Sequence, residues 1–237
     1  MSVFETDEQI INHLSAALDM AQQLKSNLSD RLMLSSGIIG CYGMSGFKTR
    51  HLINNMANVP GLKYAEVGTY MGSTLFSALY KNEITALACD NWSEFGGPRD
   101  IFIQNINTYV AGAQSNAKQS VQIFEKDFNE LELVDQWADI DFYNFDGPHD
   151  ELSQYNGICK MYPALSDRFL LFVDDWYWSP PRDGTFRALK DLDVQVLLKH
   201  EIAVDDEVIG PSGAISNRFE QSEWHNGIAI FACKKRR

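Results

Sequence analysis

The chain has 237 residues, of which 45% are hydrophobic and 12% aromatic, enough for a sizeable core and unlike a disordered chain. Its 20 basic and 32 acidic side chains give a formal charge of −12, which argues against a large phosphate-binding footprint and so against nucleic acid as a partner. The opening MSVFETDEQI is acidic without an apolar core, and no apolar run approaches the roughly 18 residues of a membrane helix, so a cytoplasmic protein without secretory signal or membrane span is expected.

In chain order, Thr6 and Gln9 have capping-box spacing, and Ile10, Leu14, Ala17, Leu18, Ala21 and Leu24 follow at helical spacing. A glycine-rich stretch over 35–50 leads to a short helix predicted over 51–59, with Pro60 and Gly61 as punctuation. From Lys63 strands and helices alternate. Strands are predicted over 63–68, 83–90, 120–127, 139–146 and 168–175, and helices over 73–82, 100–113, 128–137, 151–163 and 184–192. Late strands cover 193–204 and 226–235. Near-continuous apolar strands in this alternation mean a parallel sheet covered by helices on both faces. The expected organisation is a helical extension or lid over 1–60 and one Rossmann-like doubly wound α/β domain over 61–237. Cys41, Cys89, Cys159 and Cys233 stand far apart among apolar neighbours and read as reduced core thiols.

The turn after the first strand, YAEVGTYMGST, holds Gly68 and Gly72, which allow a tight turn and close backbone approach to a ligand. Neither the G-x-G-x-x-G of a dinucleotide site nor the Gly-Lys-Ser/Thr of a phosphate loop occurs. Glu66 would repel a pyrophosphate and suit a cationic or polar group. Asp90 ends the second strand, 24 residues after Glu66, where an acid accepts hydrogen bonds from ribose hydroxyls. Asp127 ends the third strand, near where an adenine edge would lie. Acids at three successive strand ends suit a nucleoside with a positive appendage, and S-adenosylmethionine is such a molecule.

Asp146 ends the fourth strand, and Asp174 and Asp175 end the fifth. In a doubly wound sheet these strands flank the first, so three carboxylates gather at one crevice with no Lys or Arg beside them in sequence. Such crowding raises their pKa values, and a divalent cation relieves it; oxygen ligands favour Mg²⁺ or Mn²⁺. A single Asp at such a turn reads more simply as a helix cap, and Asp150 is read that way. His149 follows Asp146 by three residues and can swing back over the crevice, where an unperturbed pKa near 6.5 suits a general base. His13, His51, His200 and His225 have no comparable carboxylate company in the sequence.

The stretches AEVGTYMGSTL, ALACDNW, FDGPH, FVDDWYW and RDGTFRAL span residues 63 to about 190. On them the chain resembles class I S-adenosylmethionine-dependent methyltransferases, and most closely the metal-dependent sugar O-methyltransferases typified by the macrocin and mycinamicin enzymes. The resemblance implies a seven-stranded sheet with its last strand antiparallel. It implies S-adenosylmethionine held among Glu66, Gly68, Thr69, Tyr70, Gly72, Ser73, Thr74, Asp90, Trp92, Asp127 and Phe128, with Asp90 on the ribose. It further implies Mg²⁺ or Mn²⁺ on Asp146, Asp174 and Asp175, with His149 as the base. The acceptor is expected to be a small hydroxylated molecule such as a sugar or polyol, walled by Tyr70, Trp92, Trp176 and Trp178. Lys48 or Arg50 is a candidate contact for an anionic acceptor, and the N-terminal helices are candidates for an interface between copies. Two other readings stand beside this one. A nicotinamide-dependent oxidoreductase is disfavoured by the missing fingerprint, and a catalytically inactive nucleoside-binding accessory protein by the intact Asp146, His149, Asp174 and Asp175 set.

Overall fold

A computed structural model describes residues 2–29, 41–109, 119–133, 137–202 and 224–236. The expected glycine-rich stretch at 35–40, the helical positions 110–113 and 134–136 and the strand positions 203–204 lie outside them. The first helix, α1, is Asp7–Gln22. Its capping box is made as the spacing predicts: the Thr6 hydroxyl accepts from the Gln9 N–H at 3.2 Å, and Gln9 Oε1 accepts from the Thr6 N–H at 3.0 Å. Helix α2 is Phe47–Met56. The alternation then runs β1 Lys63–Val67, α3 Ser73–Leu79, β2 Thr85–Asp90, α4 Arg99–Tyr109, β3 Ser120–Glu125 and β4 Ile140–Phe145. It continues with α5 Glu151–Met161, β5 Leu165–Val173, α6 Ser179–Asp191, β6 Val194–Ile202 and β7 Ile228–Lys235.

These strands form one seven-stranded sheet in the order β3-β2-β1-β4-β5-β7-β6. The pairs from β3 through β5 are parallel, and β7 runs antiparallel between β5 and β6. Strand order reverses between β1 and β4, so a crevice opens there at the carboxyl ends of the strands. The strand period of two divides the apolar side chains between two cores. Leu170 and Phe172 of β5 pack with Ile10 and Leu14 of α1, Leu52 of α2 and Phe76 of α3. Phe169, Leu171 and Val173 face the other way, with Ile158 and Met161 of α5 and Leu189 of α6. Among the described residues no helix is long and apolar enough to cross a membrane.

Three elements differ clearly from their sequence pattern. Helix α2 starts at Phe47, four residues before the predicted position 51, and ends at Met56. The helix expected over 128–137 is a 3-10 turn at Phe128–Glu130, after which Leu131 is extended. Asp127 closes that turn by accepting from the Asn129 N–H at 2.8 Å, and Leu131 enters the core instead of continuing a helix. Helix α6 starts at Ser179, five residues before Gly184, because Pro180 and Pro181 fall in its first turn, where a missing N–H costs nothing.

At the opposite end from the crevice, Asp141 ties three segments together. Its buried carboxylate accepts from the Val3 N–H at 3.1 Å, the Lys63 N–H at 3.2 Å and the Ser166 hydroxyl at 2.8 Å. Asp141→Ala leaves these donors without an acceptor and is expected to lower unfolding free energy by about 2–4 kcal/mol, measured by urea denaturation.

Candidate active site

The turn from β1 into α3 is held by close backbone contacts. Val67 C=O accepts from the Asp146 N–H at 2.8 Å, and the Gly68 N–H donates to Cys89 C=O at 2.9 Å, so the ends of β1, β2 and β4 are pinned together. Gly68 has φ +86°, and a Cβ there would lie 1.7 Å from the Asp146 carbonyl oxygen. Only glycine fits. Tyr70 and Gly72 also have positive φ, 51° and 93°. The turn is fastened by Asp90, whose two oxygens accept from the Tyr70 and Trp92 N–H groups, each at 2.7 Å. The Trp92 indole in turn donates to Tyr70 C=O at 2.8 Å.

Above this turn lies a cavity of about 570 Å³. Of the residues proposed from sequence as cofactor contacts, Gly68, Tyr70, Asp90, Trp92, Asp127 and Phe128 line it, together with Asp146 and His149. Glu66, Thr69, Gly72, Ser73 and Thr74 are not on its wall. Glu66 follows Tyr64 on the strand face turned toward α1, α2 and α3, and it is 0% exposed. Its carboxyl accepts from the Tyr64 hydroxyl and, at 3.5 Å, from the Asn144 amide. Burial pushes its pKa up to about 8, against the hydrogen bonds from Tyr64 and Thr74, so Glu66 is largely neutral near pH 7 rather than the anion expected from sequence. The Ser73 hydroxyl pairs with that of Ser45 at 3.0 Å. Met44, Phe95, Lys126 and Leu152 also line the cavity, and no motif marks them in the sequence.

At the β4 and β5 end of the crevice, Asp146, His149 and Asp175 each offer a ligand atom, and these atoms all lie within 4.8 Å of one another. His149 Nε2 is 3.4 Å from Asp146 Oδ1 and 2.9 Å from Asp175 Oδ2. The carboxylate of Asp174 is outside this group and accepts from the Asp175 N–H at 2.9 Å. The two acids after β5 thus face different ways, which their adjacency in sequence does not reveal. The Asn226 amide donates to Asp175 Oδ1 at 2.5 Å.

The electrostatics of this group follow from burial and pairing. Asp146 is pushed above the ordinary carboxylate value by burial and by the Asp175 charge, with His149 opposing. Its side chain keeps 28% of its surface open to the crevice. Asp174 is pushed well up by burial and by its two acidic neighbours. For Asp175 burial acts upward, but the His149 hydrogen bond and charge and the Asn226 amide bring it below its ordinary value. Hydrogen bonds to Asp146 and Asp175 raise His149 to about 10. With both carboxylates available to it, His149 is an imidazolium at neutral pH, not the neutral base that its ordinary pKa suggests.

Other expected contacts are placed elsewhere. Trp178 meets the His149 ring edge-on at 5.4 Å. Trp176 is a core residue, 5% exposed, with its indole donating to Glu201 at 3.1 Å and its ring against Phe186 and Phe231. Arg50 is 3% exposed, and its guanidinium donates to the carbonyls of Cys41, Gly43 and Ser45 at 2.6, 3.1 and 3.3 Å. It secures the loop before α2 and is not on the cavity wall. Lys48 sits 5.9 Å over the Trp224 ring. Asp150 caps α5, accepting from the Ser153 N–H at 2.9 Å.

No protein-family model matches the sequence, and no curated protein matches it. In structure 454 solved chains match, so the fold is widely shared. One is a candidate S-adenosylmethionine-dependent methyltransferase from Methanococcus maripaludis, 12% identical, covering 94% of each chain with a TM-score of 0.52. A candidate O-methyltransferase from Klebsiella pneumoniae is 9% identical, covering 94% of this chain and 90% of that one at 0.52. An S-adenosylmethionine-dependent O-methyltransferase from Thermotoga maritima is 17% identical, covering 80% of this chain and 65% of that one at 0.52. The chain therefore has the class I methyltransferase fold, with the seven-stranded sheet and antiparallel last strand that the resemblance implies.

Two outcomes test this geometry. Gly68→Ala is expected to give a protein that unfolds in urea at least about 3 kcal/mol more easily, or none that folds, since backbone meets the new methyl. The second concerns Glu66. Its folded pKa of about 8 lies above the ordinary 4.5, so its protonation favours the folded state. That contribution is complete below pH 4.5 and is lost as pH rises through 8. Glu66→Gln keeps a neutral group there, so its melting temperature is expected to fall less than that of the wild type between those pH values, by calorimetry.

Proposed function

We propose that the chain is an S-adenosylmethionine-dependent O-methyltransferase, dependent on Mg²⁺ or Mn²⁺ and acting on a hydroxyl of a small acceptor such as a sugar or polyol. The observation that carries this reading is the meeting of Asp146, His149 and Asp175 at the crevice whose cavity also takes in Gly68, Asp90 and Asp127. The cavity's size lies in the range of small-molecule sites. Its wall holds four acids, Asp90, Glu94, Asp127 and Asp146, against Lys126 and the His149 imidazolium, an acidic balance that suits a sulfonium and ammonium and disfavours a dinucleotide's pyrophosphate.

S-adenosylmethionine supplies the electrophilic methyl group when bound. Asp90 uses two acceptor sites on the Tyr70 and Trp92 N–H groups, and a carboxylate has about four, so it retains capacity for ribose hydroxyls. Phe128, set edge-on against Phe145 at 5.6 Å, offers an apolar wall to an adenine ring, and Asp127 stands beside it. Glu66 lies beneath the turn and supports it from inside the core.

The donor set fits a divalent metal: the carboxylates of Asp146 and Asp175 share one small volume, and a third buried acid, Asp174, is crowded beside them. Asp146 and Asp175 would hold the ion, with Asp174 behind them, and the ion would lower the pKa of a hydroxyl bound to it. His149 retains its proton only while both carboxylates are free to bind it. With their lone pairs engaged elsewhere, its Nε2 returns toward the ordinary imidazole range and accepts the acceptor's hydroxyl proton. Trp178, edge-on to His149, shields that exchange and offers an apolar face to the acceptor.

Methyl transfer to a panel of sugars and polyols, with and without EDTA, tests the reading. Activity is expected to vanish in chelator and return with Mg²⁺ or Mn²⁺. His149→Ala is expected to slow turnover by about 10²–10⁴-fold. Full activity in chelator would remove the metal from the reaction, and full activity in the variant would remove His149 as base. S-adenosylhomocysteine is expected to raise the melting temperature; no shift at millimolar ligand would overturn the cofactor assignment.

A further inference from the structure

Residues 224–227 lead into β7 and lie directly on the turn that follows β5. The Trp176 N–H donates to Gly227 C=O at 3.0 Å, the Tyr177 N–H to Asn226 C=O at 3.1 Å, and the Gly227 N–H to Trp224 C=O at 3.0 Å. This backbone clasp sets the Asn226 side chain against Asp175, 51 residues away in sequence. The amide donates to Asp175 Oδ1 at 2.5 Å, while Asp175 Oδ2 is the oxygen 2.9 Å from His149. A carboxylate held at one oxygen by an amide and at the other by an imidazole has a single orientation. The support is needed, because Asp175 has φ +53°, a conformation that L residues with a Cβ adopt at a cost. Asn226 is half-buried and does not line the cavity, so it acts on the site only through Asp175.

We infer that Asn226 is a positioning residue: it fixes the plane of the Asp175 carboxylate so that Oδ2 faces His149 and Asp146. The role rests on the assignment of Asp146, His149 and Asp175 as the reacting centre. Asn226 comes from the opposite end of the domain in sequence, outside every motif stretch. Partners of this kind, one bond removed from a ligand, set the ligand's direction and basicity.

The test uses the full chain with Asn226→Ala and Asn226→Ser, the second keeping a small donor. Mn²⁺ binding is followed by electron paramagnetic resonance, the His149 ring by long-range ¹H–¹⁵N NMR, S-adenosylhomocysteine binding by calorimetry, and folding by melting temperature. In Asn226→Ala, Mn²⁺ affinity is expected to fall about 10–100-fold and the His149 resonances to move, with S-adenosylhomocysteine affinity and melting temperature near wild type. Asn226→Ser is expected to recover part of both. Wild-type Mn²⁺ affinity and unmoved His149 resonances in Asn226→Ala would overturn the role. So would equal losses in both variants that follow a drop in melting temperature, since the residue would then serve folding alone. If the wild type itself binds no Mn²⁺, the metal assignment falls, and the His149 resonances alone decide: movement in Asn226→Ala sustains the positioning role, and none ends it.

Discussion

The carboxyl ends of β1 and β4 meet so closely that a methyl group at position 68 would overlap the backbone of residue 146. The rest of the candidate site depends on that contact. It brings the Gly68–Gly72 turn, which shapes one side of the cavity, next to Asp146 and His149, which form another. Because Val67 and Asp146 share a backbone hydrogen bond, neither wall moves without the other. Asp90 extends the same rigidity to β2, since its carboxylate holds the backbone of both Tyr70 and Trp92.

Electrostatics work against this compact arrangement. Asp146, Asp174 and Asp175 crowd one end of the sheet, and burial raises the first two. The described residues answer with hydrogen-bond donors and imidazole instead of Lys or Arg. His149 spans Asp146 and Asp175, Asn226 takes the remaining oxygen of Asp175, and the Asp175 N–H serves Asp174. An arginine at this point would bind the carboxylates bidentately and occupy them permanently. Imidazole and amide donors can exchange partners more readily than a bidentate guanidinium. Arg50, by contrast, is spent on three carbonyls of its own loop, where a guanidinium's permanent charge is anchored away from the crevice.

Much of the fold was legible because the apolar pattern is local. The β-α alternation, the capping box at Thr6 and Gln9 and the Asp150 cap each depend on residues within a few positions of one another. Asp146 and His149 were legible together for the same reason, being three residues apart at a strand end. Side-chain direction was not. Glu66 looks like a site acid in a linear motif, but strand alternation turns it into the core beside Tyr64. Asp174 and Asp175 look equivalent, yet only Asp175 joins His149. Trp176 looks like a partner of Trp178 on the acceptor wall but packs inward. The family resemblance implies the antiparallel last strand, but not which side chains it delivers: Asn226 reaches Asp175 only because β7 inserts beside β5. The helix expected at 128–137 failed because turn closure by Asp127 competes with helical continuation.

The insertion of β7 between β5 and β6 also bears on the order in which the molecule can assemble. Strands β1, β2 and β3 can pair in sequence, as can β4 and β5, whereas β4 must reach back to β1, and β5 and β6 stay apart until β7 fills the gap between them. Before that, the β5 edge is open, the Asp7–Lys234 ion pair at 2.9 Å cannot form, and Asp175 lacks its amide partner. Pairings of such large sequence separation are slow to form, and an open hydrophobic edge invites pairing with other chains in the meantime. Closure of the β5 edge and the Asn226–Asp175 contact are therefore acquired together, in the step in which one strand docks.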